Sequence, residues 1–331
     1  MNLRGGAPML QVRDLHVWFD LDHGAKLHAV QGVSFELSHG DRFGLVGESG
    51  CGKTTSILAL MGLLPPSATV SGEVRIDGQD ILSGGEDAIR PHRWTDIAMV
   101  FQGAMNALNP VKRVGSQIVE PMELHGTAQG EEARAAAREL LETVGIPGGA
   151  AERYPHEFSG GMRQRAAIAM ALACKPKILL ADEPTTALDV MVQAQILELL
   201  VRLTEQLGLT LILVTHDLPV VAQVCERAAV MYAGEIVESG PMDTLFHTPR
   251  HPYTRLLFAA TPDLYGEDDV VSIPGAPPRL DREIEGCPFR LRCDRAFDRC
   301  VVDHPVLKYV EFDHAAACHL NDTAAKSEVS T

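Results

Sequence analysis

The chain has 331 residues, 46% of them hydrophobic and 22% charged, enough for one large domain with a full core and a smaller one. Its 29 basic and 44 acidic residues give a net charge of −15, which argues against a nucleic-acid partner because phosphate binding needs a basic face. The N-terminus lacks a signal-peptide layout, and no apolar stretch approaches the roughly 18 residues of a spanning helix. We therefore expect a cytoplasmic protein, in which the seven cysteines are not a disulfide framework.

Alternating patterns and glycine-bounded runs predict the first elements. Residues 10–19 and 28–37 alternate apolar and polar side chains, as antiparallel strands with one wet face do. A short apolar strand at 42–47 then leads into a glycine-rich turn and a helix at 53–64. A further strand is predicted at 71–81, where glycines mark the turns.

The middle of the chain alternates helical and apolar patterns. The run EEARAAARELLETVGI predicts a helical insertion over about 105–160. A buried strand at 177–184 and a helix at 190–207 follow, and then a β-rich run at 209–217 and a hairpin at 228–240. Such alternation of strands and helices implies an α/β fold with a mostly parallel sheet.

The pattern changes near residue 260, where prolines, scattered charges and cysteines replace the periodic segments. We expect a large α/β domain at 1–260 and a small appended domain at 261–320. The last residues, 321–331, have the composition of a disordered tail. The chain shows no internal repeat.

The segment GESGCGKT, residues 47–54, fits G-x-x-x-x-G-K-[ST] between a predicted strand and a predicted helix. Its glycines let backbone N–H groups curl around phosphates, and the helix N-terminus adds a positive dipole end. Lys53 is expected to reach the β- and γ-phosphates of ATP, and the Thr54 hydroxyl to ligate Mg²⁺. A chance match in a glycine-rich loop is the alternative, and the strand–helix context disfavours it. The candidate nucleotide contacts here are Gly47, Glu48, Ser49, Gly50, Cys51, Gly52, Lys53, Thr54 and Thr55.

The segment ILLADEP supplies the acidic residues that such a site needs. Asp182 ends an apolar strand, which would hold it near the metal as a second Mg²⁺ ligand. Glu183 follows directly and is the candidate for polarising the attacking water. Because acidic pairs at strand ends are common in any protein, this prediction depends on its combination with the phosphate loop.

Between these two motifs lies FSGGMRQR, residues 158–165. Ser159, Gly160 and Gly161 precede a helix and form a second anion-binding N-terminus, with a plain helix N-cap as the alternative. The stretch resembles the signature sequence of ABC-type ATPases, which in that family also stands shortly before the acidic strand. The resemblance implies that two nucleotide-binding domains dimerise head to tail, each signature sequence contacting ATP held by the other subunit.

The same resemblance implies roles for further residues. Gln102 looks like the glutamine that senses Mg²⁺ and faces the transmembrane partner, with a solvated loop glutamine as the alternative. Asp189 resembles the aspartate that contacts the opposite subunit, or else caps the next helix. His216 looks like the switch histidine that bonds the γ-phosphate, or else is structural. Phe19 matches the aromatic residue that stacks on adenine; core packing is its alternative, and the choice between Phe19 and Trp18 stays open.

The resemblance covers nearly the whole chain. FQGAMNALNP, GGMRQR, HTPRHPYTRLL and IPGAPPRL together look like the D-type ATP-binding subunits of oligopeptide and dipeptide permeases. Gly103 and Ala104 replace an Asp-Pro pair of that pattern, and Phe158 replaces a leucine; none of these is a catalytic group. The resemblance implies a peripheral position on the cytoplasmic face of the inner membrane, with two permease subunits and an extracytoplasmic binding protein. It also implies a paralogous ATPase subunit as dimer partner, with a homodimer as the alternative.

Other functions remain to be weighed against peptide import. Related importers carry nickel, opines, oligosaccharides or glutathione, and the binding protein and permease choose the cargo. ABC-type ATPases that act on DNA or ribosomes have coiled-coil insertions, basic surfaces or tandem domains, whereas this chain is acidic and has one phosphate loop. A non-hydrolysing scaffold would tolerate the loss of Glu183 or His216, and both are present.

Four of the cysteines lie near the C-terminus, separated by five, six and seventeen residues. They are Cys287, Cys293, Cys300 and Cys318. Clustered thiols in a reducing compartment favour metal ligands over disulfides, but the spacing lacks the C-x-x-C pairs of structural zinc. On the residues alone, Zn²⁺, an iron–sulfur cluster and unmetallated thiols stay open.

The resemblance to peptide-permease subunits, which share this arrangement, implies a [4Fe–4S] cluster. A proline-rich tail has little core of its own, so a metal centre would supply folding energy. We expect a structural rather than a catalytic role, because the tail is remote in sequence from every ATP motif. The other cysteines are expected to be packing residues: Cys51, Cys174 and Cys225.

Overall fold

The computed structural model describes residues 7–21, 24–103, 107–260 and 273–322. The first strands and helices are β1 (Leu10–Asp20), β2 (Lys26–Leu37), β3 (Arg42–Val46), α1 (Lys53–Leu60), β4 (Ala68–Ile76), β5 (Gln79–Asp80), α2 (Glu86–Ile89), β6 (Ile97–Val100), α3 (Val114–Leu124), α4 (Gly130–Thr143) and α5 (Gly160–Ala171). The later ones are β7 (Ile178–Asp182), α6 (Val190–Leu207), β8 (Thr210–Thr215), α7 (Leu218–Val224), β9 (Arg227–Tyr232), β10 (Glu235–Pro241), α8 (Met242–His247), α9 (Pro252–Ala259), α10 (Arg299–Val302), β11 (Lys308–Glu311) and β12 (His314–Ala316). No helix in the described ranges is both long and apolar enough to cross a membrane.

The chain divides into two compact units. The first comprises the described parts of Met1–Leu37, Phe43–Leu82 and Thr215–Thr331, and the second comprises Ser38–Arg42 and Ser83–Val214. The second unit is thus an insertion that holds most of the predicted helical segment. Each unit has its own buried strands and its own candidate functional residues.

The first unit contains an antiparallel sheet in the order β2-β1-β4-β5. In β1 the buried positions alternate in two runs, Leu10 with Val12 and Leu15 with Val17, as the predicted strand requires. An irregularity at Asp14, whose φ is 49°, separates the two runs. Leu10 lies opposite Leu37 in β2 and opposite Ile76 in β4, so apolar side chains share one face. The predicted antiparallel pair at the N-terminus is confirmed.

The other strands of the first unit follow the order β11-β12-β10-β9-β3. β3 runs parallel to β9, while β9 with β10 forms the predicted hairpin. β12 and β11 then add antiparallel strands that the sequence did not predict. The buried carboxylate of Glu238 in β10 binds Nε2 of His314 in β12 at 2.7 Å, which joins the C-terminal segment to this sheet.

The second unit has a core of three parallel strands in the order β8-β7-β6. Every residue of these strands within this unit is buried, as expected for a parallel sheet covered on both faces. Helices α3 and α4 lie within the predicted insertion, and α4 buries Ala133, Ala137 and Leu141 at a four-residue spacing. The helical segment is therefore confirmed, but β6 was missed.

The sheets are mixed, which corrects the expectation of a mostly parallel sheet. Parallel pairs join β3 to β9 in the first unit and β6, β7 and β8 in the second, whereas β10, β11 and β12 pair antiparallel. Several predictions fall outside the described ranges: the segment 261–272 at the expected domain boundary, the tail from 323 onward, and Ala104.

Candidate functional site

The candidate phosphate loop begins where the buried strand β3 ends. Gly47 has a φ of 150°, and a Cβ there would lie far inside contact distance of the Met231 carbonyl oxygen. Gly52, the N-cap of α1, has a φ of 105°, and its Cβ would lie 2.5 Å from the Ala29 carbonyl oxygen. Only glycine fits both places without strain, so the glycine pattern has a steric basis in this chain.

Lys53 occupies the first position of α1 and is buried. Its Nζ donates to the carbonyl oxygens of Gly47 at 2.6 Å and Glu48 at 2.9 Å. The ammonium is therefore held against the opening residues of the loop. Thr54 and Thr55 follow in the first turn of α1, where backbone N–H groups carry the positive end of the helix dipole.

The loop is also held by residues that the sequence did not single out. The Glu48 carboxylate accepts two hydrogen bonds from the Arg292 guanidinium, at 2.6 and 2.8 Å. The Glu48 backbone N–H donates to the Tyr253 hydroxyl at 2.9 Å. These partners lie more than 200 positions away along the chain, so no local pattern could have revealed them.

In the second unit, the acidic pair at the end of β7 contacts the predicted glutamine. Asp182 is 2% exposed, and Glu183 has a φ of 44°, in the left-handed region. Oε2 of Glu183 accepts from Nε2 of Gln102 at 2.7 Å and from the Thr186 hydroxyl at 3.0 Å. The structure thus brings together two predicted residues that lie 81 positions apart.

The signature residues and Asp189 stand at two helix starts that pack closely. Ser159 caps α5 by accepting from the Met162 backbone N–H at 3.3 Å, and Asp189 caps α6 by accepting from the Val192 N–H at 3.0 Å. A Cβ on Gly161 would lie 2.7 Å from Val192. The plain capping roles weighed for Ser159 and Asp189 are therefore both present, and the glycine allows the close approach of α5 to α6.

His216 and the N-terminal aromatic pair belong to the first unit. His216 is exposed and follows Thr215, the last residue of β8. Trp18 packs against His28 and His16, with ring centroids 4.6 and 5.2 Å apart and the rings nearly parallel. Successive side chains of a strand point to opposite faces, so Phe19 points away from this group of rings.

All four C-terminal cysteines line one small cavity of about 10 Å³, roughly the room of one water molecule. Backbone N–H groups two residues further on are directed at three of the thiols: Phe289 at Cys287, Arg295 at Cys293 and Leu320 at Cys318. Hydrogen bonds to sulfur stabilise a thiolate and are a usual feature of iron–sulfur sites. Among the described residues, however, no group of three or more His, Cys, Asp or Glu side chains is placed to hold a metal ion.

Burial in this cavity favours the protonated form of three of the four thiols. Burial raises the pKa of Cys287 to about 11 and that of Cys318 to about 12, and it also raises the pKa of Cys293. A bound cation would reverse this by stabilising the thiolate. The chain's other cysteines, Cys51, Cys174 and Cys225, are each buried at a different place: in the phosphate loop, after α5 and directly after α7.

The predicted site residues therefore form two groups. In the first unit lie Phe19, the phosphate loop from Gly47 to Thr55, His216, Cys287, Cys293, Cys300 and Cys318. In the second unit lie Gln102, Ser159, Gly160, Gly161, Asp182, Glu183 and Asp189. The phosphate loop, Ser159, Asp182 and Asp189 stand at the ends of buried strands or the starts of helices, where backbone groups are available for a ligand.

The strand–loop–helix of the first unit and, separately, the acidic strand of the second carry the two motifs of an ATP-binding cassette. Residues 30–186 match the family described as ABC transporter. A dimeric ATP-binding cassette, solved in a post-hydrolysis state with ADP and Pi, superimposes with a TM-score of 0.63 at 31% identity. That comparison covers 71% of this chain and 99% of the other.

A second family match identifies the type of ABC transporter more closely. Residues 237–300 match the oligopeptide/dipeptide transporter C-terminal region. The dipeptide transport ATP-binding protein DppD of Bacillus subtilis is 45% identical over 97% of both chains. The oligopeptide transport ATP-binding protein OppD of the same organism is 47% identical over 87% of this chain and 82% of its own. This chain belongs to the ATP-binding subunits of the oligopeptide/dipeptide type of ABC transporter.

Proposed function

We propose that this chain binds and hydrolyses ATP to drive import of dipeptides or oligopeptides through a membrane permease. The hydrogen bond between Gln102 and Glu183 supports the catalytic part, because it joins the two residues that the sequence predicts for sensing the metal and for polarising water. The names of the relatives, which are peptide, dipeptide and oligopeptide transport proteins, support the peptide cargo. Import of nickel, opines, oligosaccharides or glutathione by the same machine remains the alternative that transport assays distinguish.

In this proposed function, different residues bind the phosphates, bind Mg²⁺ and activate water. Lys53 and the loop N–H groups bind the phosphates, and Thr54, Gln102 and Asp182 are the candidate ligands of Mg²⁺, which supplies positive charge against the phosphates when bound. Glu183 orients and polarises the attacking water.

The remaining assignments concern adenine and the γ-phosphate. His216 binds the γ-phosphate, consistent with its exposed place just after β8. Phe19 is the better candidate for stacking on adenine, because Trp18 already packs against two imidazole rings. Two signature sequences, each led by Ser159, would complete two ATP sites in a head-to-tail dimer, which involves a paralogous ATPase subunit or a second copy.

Assembly on a permease gives the first testable consequence. Expressed alone, the chain should remain in the supernatant and hydrolyse ATP slowly. Co-expressed with its permease and binding-protein genes, it should move to the membrane fraction, at the cytoplasmic face. In reconstituted vesicles, ATP should drive uptake of a labelled tripeptide, and unlabelled peptide but not Ni²⁺ should compete with it. Uptake of Ni²⁺ or a sugar without peptide competition would favour the alternative cargo, and a soluble complex with nucleic acid would contradict the transport function.

We also propose that the C-terminal segment, expected from the sequence as an appended domain at 261–320, holds a [4Fe–4S] cluster through Cys287, Cys293, Cys300 and Cys318. Four thiols lining one cavity, three of them facing a backbone N–H, support this donor set. The cavity is small, so the thiols must separate to accept a cluster. Protonated thiols and one Zn²⁺ are the competing states.

Metal content tests the cluster directly. Protein purified without oxygen should be brown and contain about four iron and four sulfide per chain. Cys293→Ser should remove this iron, whereas Cys174→Ser, a buried cysteine of the second unit, should leave it unchanged. Colourless protein with one zinc per chain would show that the cysteines bind zinc instead of a cluster. An unchanged iron content in Cys293→Ser would exclude this cysteine as a ligand.

A further inference from the structure

The side chain of Arg292 is buried, although it lies in the cysteine-bearing segment, one residue before Cys293. Only 4% of the side chain is exposed. Its guanidinium forms a fork with the Glu48 carboxylate, Nη1 to Oε2 at 2.6 Å and Nη2 to Oε1 at 2.8 Å. Nε donates to the Pro274 carbonyl oxygen at 2.8 Å, and Nη1 also reaches the Tyr232 hydroxyl at 3.3 Å. Four hydrogen bonds therefore fix the position of the Arg292 guanidinium.

Glu48 is held at each of its polar groups. Its side chain is bound by Arg292, its backbone N–H donates to the Tyr253 hydroxyl, and its carbonyl oxygen accepts from Lys53 Nζ. Glu48 is the second residue of the phosphate loop, so these contacts set the path of the loop between Gly47 and Lys53. The hydrogen bonds to Glu48 also raise the pKa of Arg292 above its usual value.

The same segment forms a wall of the cysteine cavity. Phe289 packs on Tyr232 and Tyr253, with ring centroids 5.2 and 5.3 Å away, and it also lines the cavity between the four thiols. The Arg292 guanidinium lies 5.7 Å from the Tyr232 ring centroid and 5.9 Å from that of Phe289. The aromatic rings of Tyr232, Tyr253 and Phe289 thus lie between the thiols and the phosphate loop. The cysteine-bearing segment is remote in sequence from the ATP motifs, yet it contacts the phosphate loop through Arg292.

A carboxylate inside a phosphate loop is unfavourable unless it is neutralised. Glu48 would repel the phosphates of ATP, and the repulsion is stronger in a partly buried site than in water. A bidentate arginine fork cancels this charge and fixes the carboxylate's direction, which a lysine cannot do equally well. Removing the arginine alone would leave the carboxylate unpaired beside the ligand.

We propose that Arg292 is a positioning residue for ATP binding: it neutralises Glu48 and makes the affinity of the phosphate loop for ATP depend on the cysteine-bearing segment 287–300. This inference rests on the proposed role of residues 47–54 as the nucleotide site. By linkage, ATP must stabilise the segment by the same free energy that the segment contributes to ATP binding.

Nucleotide affinity in a double-mutant cycle tests the proposal. The full chain is titrated with a fluorescent ATP analogue and Mg²⁺, and its melting temperature is recorded. Arg292→Gln should raise Kd about tenfold or more, the effect of a like charge left near the phosphates. Adding Glu48→Gln to Arg292→Gln should restore most of the affinity, because the repelling charge is then gone. Arg292→Lys should lie between the wild type and Arg292→Gln.

Two controls separate the possible failures. Arg255→Gln removes a half-exposed arginine of α9 that pairs with Asp294 of the segment at 2.6 Å and should leave Kd unchanged. Lys53→Ala should abolish binding; if it does not, the proposed nucleotide site itself is wrong. If Lys53→Ala abolishes binding but Arg292→Gln leaves Kd unchanged, the positioning role is excluded. The positioning role would also be excluded if the double variant Glu48→Gln/Arg292→Gln bound ATP as weakly as Arg292→Gln does. The loss of affinity would then come from damage to the fold.

Hydrogen exchange provides a readout that a purely structural arginine would not change. In the wild type, ATP with Mg²⁺ should slow amide exchange in residues 287–300. In the variant with both Glu48→Gln and Arg292→Gln, which should still bind ATP, this protection should disappear because the fork is absent. Equal protection in both proteins would contradict coupling through the Glu48–Arg292 pair.

Discussion

Glu183→Gln should retain ATP binding and lose at least about a hundredfold in ATP hydrolysis, the range expected for removal of a catalytic base. Glutamine keeps the shape of the side chain and can still hydrogen-bond with Gln102 and Thr186, which contact Glu183 at 2.7 and 3.0 Å. It cannot accept a proton from water, so the chemical step should fail while the bound state survives. Turnover is measured by phosphate release in the assembled transporter, and binding by equilibrium titration.

Glu198→Gln makes the matched control, since it is the same substitution at an exposed position of α6 in the same unit. It should leave both binding and hydrolysis unchanged. Hydrolysis at the wild-type rate in Glu183→Gln would remove this residue from the base role. Loss of ATP binding in that variant would show that Glu183 holds the site together instead of acting on water.

Gly47→Ala should abolish useful ATP binding and destabilise the first unit by roughly 3 kcal/mol or more. The alanine would have to keep a φ of 150°, and its Cβ would collide with the Met231 carbonyl oxygen. Backbone cannot move aside as a flexible side chain can, so the loop itself must shift. A displacement of about 1 Å in a positioned site costs on the order of a hundredfold in activity.

Gly50→Ala separates backbone strain from collision in the same loop. Gly50 also has a positive φ, 81°, but its Cβ would have no atom within 4 Å. The strain alone should cost about 1–3 kcal/mol and leave binding measurable. Both proteins are compared by melting temperature and ATP titration. Equal behaviour of the two variants would mean that the contact with Met231 does not decide the loop's path.

Much of the nucleotide site could be predicted from the sequence because its determinants are local. The loop needs glycines where φ is positive, a strand before it and a helix after it, and these lie within neighbouring residues. The antiparallel pair β1–β2 and the helix α6 were predicted from their periodicity, which records which side chains face the core. The family's motifs add roles to these residues, and the comparisons with relatives confirm the family.

Tertiary structure alone decided the contacts between distant segments. β6, β11 and β12 have three or four residues each, too few to show a period, and they exist because neighbouring strands complete their hydrogen bonds. The fork between Glu48 and Arg292 joins residues 244 positions apart, each an ordinary charged residue in its own stretch of sequence. Spacing along the chain suggested that the cysteine segment is remote from ATP. The fold places it against the phosphate loop, and this packing removes Tyr232, Tyr253 and Phe289 from water together.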